Sequence, residues 1–199
     1  MYSSKPAFIY GFHAIDKAAA LKILNQEDNF IASDNKYDWL GKGVYFWENS
    51  LSRAEKYAEI DKEREGSKII TPFVLGAVID LGNCLDLLDH DHLKFVRYAY
   101  KDLKSDFDKE GWELPENLPS ESGDFDFKKR ELDCAVIRHA HKLACDKDKP
   151  FDTVRAAFFE GDSLYPGAGF QEKNHIQIAV LDANCIKGVF LPRENDSSQ

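Results

Sequence analysis

The alternation of apolar and polar positions changes period several times along the chain, and each change marks an element. Residues 7–13 form a short apolar run with strand character, and residues 14–25 switch to helix formers with apolar side chains at helical spacing. A polar loop over 32–38 leads to the turn Gly41-Lys42-Gly43 and a second strand through Trp47. Ser50 reads as a helix N-cap, with the helix running on to Arg64 and stopping near Gly66. Residues 72–81 read as a buried strand broken at Gly82-Asn83, and 91–109 as a helix. A loop follows over 111–125, rich in Pro, Ser and Gly, and then a second strong helix over 128–147 with Leu132, Ala135, Val136, His139 and Leu143 on one face. Strand-like runs at 153–159, 175–181 and 186–191 close the chain, the first two separated by a turn-rich loop over 160–170. The tail 194–199 reads as frayed. Strands at both ends, with helices that do not alternate evenly with them, predict an α+β fold rather than regular βαβ winding.

Composition narrows the class. At 199 residues the chain fits a single domain, 1–199, and 43% hydrophobic with 31% charged residues is the balance of a soluble globular protein. No apolar run approaches the roughly 20 residues of a membrane span, and the first residues lack the pattern of a secretory signal, so no membrane partner and a cytoplasmic location are expected. Cys84, Cys134, Cys145 and Cys185 are far apart with no C-x-x-C pair, which predicts buried thiols rather than disulfides. The pairs His90/His92 and His139/His141 would splay apart on a helix, so they read as solvated histidines, His139 half-buried, and no metal is expected. A net charge of −9 argues against non-specific binding along a nucleic-acid backbone, though a local basic groove stays open.

Two segments carry candidate chemistry. Tyr10-Gly11-Phe12-His13 and Leu40-Gly41-Lys42-Gly43-Val44-Tyr45-Phe46-Trp47 place a His and a Tyr on strand-like runs, the second entered by a Gly-x-Gly turn. Glycine lets the backbone bend sharply or approach a ligand closely. An aromatic just past such a turn can offer its ring face to a flat ligand, and a neighbouring His can hydrogen-bond a hydroxyl. That equipment suits a nucleotide-like molecule.

These segments, followed by Ser52-Arg53-Ala54-Glu55-Lys56-Tyr57, resemble the NAD-binding half of the poly(ADP-ribose) polymerase and diphtheria-toxin type ADP-ribosyltransferases. The likeness covers residues 7–60 and resumes at 170–192, where Asn174-His175-Ile176-Gln177-Ile178-Ala179-Val180 looks like the third-motif strand. The whole chain looks most like compact bacterial members of toxin–antitoxin and phage-defence systems. The resemblance implies split antiparallel β-sheets around an NAD cleft, with a helical insertion at about 90–150. It implies NAD as substrate, a protein or nucleic-acid acceptor, and a possible antitoxin partner. By the same likeness His13 bonds the nicotinamide ribose, with Gly11 or Phe12 close to it. Gly43 belongs to the turn before Tyr45, which stacks on the nicotinamide. Ser52 bonds the carboxamide and Tyr57 supplies a second aromatic wall, each one residue off the family spacing.

The third motif departs from the family, which carries Glu at the start of that strand to stabilise positive charge at the anomeric carbon. Here His175 stands there, with Gln177 on the same strand face. The negative charge would then come from Glu172, before the strand, or Glu160, at the end of the preceding one. The leading expectation is a mono-ADP-ribosyltransferase. The alternatives are an NAD glycohydrolase of the same fold and a catalytically silent ADP-ribose or partner-binding module.

Overall fold

The computed structural model describes residues 8–118 and 129–193. In chain order the elements are β1 (Phe8–Asp16), α1 (Lys17–Leu24), β2 (Val44–Glu48), α2 (Leu51–Lys62), β3 (Pro72–Asp80), β4 (Cys84–Asp86), α3 (His90–Glu110), β5 (Asn117–Leu118), β6 (Lys129–Arg130), α4 (Glu131–Cys145), β7 (Thr153–Phe158), β8 (His175–Val180) and β9 (Ile186–Phe190). Seven strands form one mixed sheet in the order β4-β7-β8-β2-β1-β3-β9, while β5 and β6 pair separately. The fold is therefore α+β, as the pattern of elements predicts. The expectation of split antiparallel sheets is corrected: the sheet is continuous, and β4 pairs parallel with β7. The parallel pair follows from the chain path, because α3 and α4 lie between those two strands and carry the chain back to the same end.

Most ladders are long, but the join between β1 and β2 holds only Gly11↔Glu48 and Phe12↔Trp47, against nine pairs between β1 and β3. The sheet is thus two well-knit halves meeting at a narrow seam. Alternation sends neighbouring side chains to opposite faces. On one face, Val154, Ala156, Phe158 and Ala179 pack under Ala99 of α3 and Ile137 and Ala140 of α4, while Trp47 and Val74 pack under Ala54 of α2. On the other, Val44, Phe46, Ile79 and Ile178 form a second layer, continued by Leu75 against Ala20 and Ile23 of α1. Each fully buried side chain of this kind contributes about 1.5–3 kcal/mol.

Several local expectations shift. The first strand runs on to Asp16, so α1 starts three residues later than its helix formers suggest. Asp16 explains the boundary: its carboxylate accepts from Ala18 N at 2.9 Å as N-cap, and from Ile70 N and Thr71 N at 3.0 and 2.8 Å. Ser50 holds the N-cap position of α2 but makes no side-chain cap bond. The buried face of α4 is Cys134, Val136, Ile137, His139, Ala140 and Ala144, rotated from the predicted stripe because the helix packs on both the sheet and α3. For the same reason the solvated histidines are corrected. His139 is buried against Asp102 at 2.8 Å and His92 accepts the Asp86 amide at 3.0 Å, while His90 is exposed. No disulfide joins the cysteines; Cys134 and Cys185 are buried, whereas Cys145 is exposed, contrary to expectation, at the end of α4. The predicted loop is described as far as Leu118, and its remainder, with the tail, lies outside the described residues.

Candidate functional site

Where the β1–β2 ladder ends, His13 takes over. Its Nδ1 meets the Tyr45 carbonyl at 2.7 Å, so Nδ1 carries the proton and donates it across the seam. The ring is edge-on to Phe30 at 5.2 Å and tilted against Phe46 at 5.4 Å. Burial pushes the His13 pKa below the ordinary value of 6.5, the carbonyl working against it. A neutral His13 with Nδ1–H keeps Nε2 as an acceptor.

Tyr45 fixes the turn that introduces it. Its hydroxyl donates to Gly41 O at 2.7 Å and accepts from Leu40 N at 2.9 Å. Burial raises its pKa far out of the physiological range. Gly41 has φ +80°, a left-handed conformation that favours glycine. Gly43 and Gly11 are explained by packing: a Cβ on Gly43 would lie 3.0 Å from Val180 O, and one on Gly11 2.5 Å from Ile79 Cδ1. The Tyr45 ring packs with Leu40 and Ala179, whereas the His13 ring packs with Phe30 and Phe46 on the opposite side of the sheet. The two meet through the Tyr45 main chain.

The remaining expected residues divide. Register puts Gln177 opposite Trp47 on one side and Ala156 on the other, and His175 opposite Phe158, so His175, Gln177, Trp47 and Tyr45 share one face. Phe12 joins that face opposite Trp47. His175 is buried, donates Nδ1–H to Lys173 O at 2.6 Å and stacks on Phe158 at 5.6 Å. Tyr57 lies against Trp47 at 4.9 Å, and burial with the Asp61 carboxylate raises its pKa. Glu160 is held by Arg53 Nη2 at 2.8 Å. Ser52 and Glu172 are exposed.

Two residues outside the expected set stand at its centre. Trp47 is 5% exposed, and Arg53 lies over its ring at 5.7 Å. Trp47 Nε1 and Arg53 Nε are buried donors with no acceptor among the described residues. The parity of Trp47 with Tyr45 could have placed it on the same face; nothing local signals the pairing of Arg53 with Glu160, 107 residues away. Beside the group, a cavity of about 650 Å³ lies between α3, α4 and β7, lined by Trp39, Val96, Arg130, Ile137, Ala156 and Phe158 among others. Its floor residues Ala156 and Phe158 are the β7 partners of Gln177 and His175. Asp102, Asp106 and His139 offer ligand atoms within 4.8 Å of one another on the α3–α4 surface, a spacing a cation could span. Comparison with known proteins finds no family model, no curated protein and no solved structure that matches this chain.

Proposed function

We propose that this protein is an NAD-dependent mono-ADP-ribosyltransferase that moves ADP-ribose onto a protein or nucleic-acid acceptor. The observation that carries the reading is the order β8-β2-β1 at the middle of the sheet. Three segments far apart in sequence, bearing His175 with Gln177, Tyr45 and His13, become adjacent strands. In this reading the seam where β1 and β2 part is the cleft of an ADP-ribosyltransferase-like fold, and nicotinamide with its ribose enters there.

Neutral His13, on the other side of the sheet from the Tyr45 ring, acts as a positioning residue: its Nδ1–H holds the Tyr45 carbonyl across the seam and so fixes the strand that presents the ring. The Tyr45 ring, pinned by its own hydroxyl, gives the nicotinamide a fixed apolar plate. Gln177 and His175 hold the ribose from β8. The bond from the anomeric carbon to nicotinamide breaks with its electron pair leaving on nicotinamide. The acceptor nucleophile then bonds that carbon, and its proton passes to a base or to water. A carboxylate lowers the barrier by facing the developing positive charge. Glu160, half-buried and held by Arg53, suits that role better than the exposed Glu172. A bacterial toxin or phage-defence effector held by an antitoxin is the biological setting the resemblance suggests.

The test is nicotinamide release from NAD by the wild type, His13→Ala and Tyr45→Ala, with labelled NAD followed into lysate protein, RNA and DNA. Release that is lost in both variants, with label on a macromolecule, is the expected result. Equal rates in all three proteins would sink the reading. Free ADP-ribose as the sole product makes the chain a glycohydrolase, and calorimetric NAD binding without turnover makes it a binding module.

A further inference from the structure

A guanidinium presents one edge, Nε with Nη2, that fits two oxygens of a carboxylate or phosphate side by side. On Arg53 that edge is half filled. Glu160 Oε2 takes Nη2 at 2.8 Å, and Nε has no acceptor among the described residues. The side chain is only 14% exposed, so water does not make up the difference freely. Beneath it, the indole N–H of Trp47 is a second buried donor in the same condition. The field there has one sign as well. Arg53 stands in the first turn of α2, whose N-cap Ser50 makes no side-chain cap bond, so the positive end of the helix adds to the guanidinium charge.

Two buried donors without acceptors among the described residues, one on a guanidinium that holds a single carboxylate oxygen and one on the indole beside it, describe a place suited to a larger acceptor than the one it holds. We propose that Arg53 and Trp47 form an oxyanion subsite that takes a phosphate of the dinucleotide, with Glu160 as the internal anion that gives way when the phosphate enters. This rests on the NAD reading and deepens it. Both donor atoms are closed to solvent, so the phosphate reaches them only as Glu160 leaves Nη2. Its oxygens then fill Nε and Nη2 together and take the Trp47 N–H. Glu160 lies on the loop between β7 and β8, two residues beyond the end of β7, and is turned loose by the exchange. The carboxylate is thereby released only when a phosphate-bearing ligand is in place.

Calorimetric titration with inorganic pyrophosphate tests the exchange without requiring NAD chemistry. Glu160→Gln removes the competing anion and is expected to bind pyrophosphate about tenfold more tightly than the wild type. Arg53→Lys, which keeps the charge but not the two-nitrogen edge, is expected to weaken binding about tenfold. Trp47→Phe, which keeps a ring, is expected to weaken it about threefold. A merely structural ion pair would give the opposite sign for Glu160→Gln, or no change. Unchanged or weaker binding in Glu160→Gln, wild-type binding in Arg53→Lys, or no binding by any of the proteins overturns the proposal. The two readings fail separately. The pyrophosphate pattern without nicotinamide release from NAD leaves the subsite and removes the NAD reading. Release with a KM for NAD unmoved by Arg53→Lys does the reverse.

Discussion

Two arginines of this protein are buried almost equally and used very differently. Arg155 on β7 is 13% exposed, and its Nε and Nη2 fill both oxygens of Glu48 at 2.5 and 2.9 Å. Its Nη1 also reaches both oxygens of Asp86 at 3.3 Å, so strands β2, β4 and β7 are tied across β8. Arg53, at 14%, has one bond to one oxygen, and its Nε has no acceptor among the described residues. Burial alone therefore does not separate a saturated clamp from a guanidinium with a donor to spare. Saturation does: a complete set of partners argues for architecture, and an incomplete set beside an aromatic wall argues for a ligand.

The largest expected effect breaks the comparison or confirms it. Arg155→Met takes the guanidinium away from Glu48 and Asp86, at 12% and 2% exposure. Removing one member of such a buried network costs about 3–5 kcal/mol, read as a shift in chemical denaturation. Arg53→Met leaves only Glu160, on a loop that can turn the carboxylate to water, and should cost about 1 kcal/mol. Equal losses in the two variants would erase the distinction drawn between them.

A smaller effect concerns the seam. The folded-state pKa of His13 is depressed, so below pH 6.5 the unfolded chain takes up a proton that the folded chain resists. Stability from this group is therefore present above that value and falls as pH drops below it. His13→Gln should flatten the slope of unfolding free energy between about pH 5 and 6.5, measured by urea titrations at several pH values. An unchanged slope would mean that His13 is solvated enough to charge in place, and the seam would lose its status as a dry junction.

What was legible in the sequence follows the range of the interactions. The strand–helix order from β1 to α2 is written in local period and glycine turns, and so is the α+β class. The end of β1 was missed because Asp16 gains two of its partners, Ile70 and Thr71, from more than fifty residues away. The short β4 was hidden because three residues carry no period, and it becomes a strand only by lying along β7. His13 and Tyr45 stand out as candidates from their motifs. Trp47 and Arg53 do not, since their significance lies in what they lack once the chain has folded. Both Arg53–Glu160 and Arg155–Glu48 join residues 107 apart, a separation at which no spacing rule speaks.

The smallest and most discriminating measurement is a pair of double-mutant cycles in the absence of ligand. For Arg155 and Glu48, each single substitution leaves the other charge buried, and the double variant removes both at once. The coupling should reach about 2 kcal/mol or more, because the two side-on bonds are lost together. For Arg53 and Glu160 the carboxylate has an alternative in solvent, and one bond is at stake, so coupling near about 0.5 kcal/mol is expected. A weak coupling there is what lets a phosphate displace Glu160. Coupling as strong as that of Arg155 would make the pair a second clamp, too costly to open for any ligand that offers only three hydrogen bonds in return.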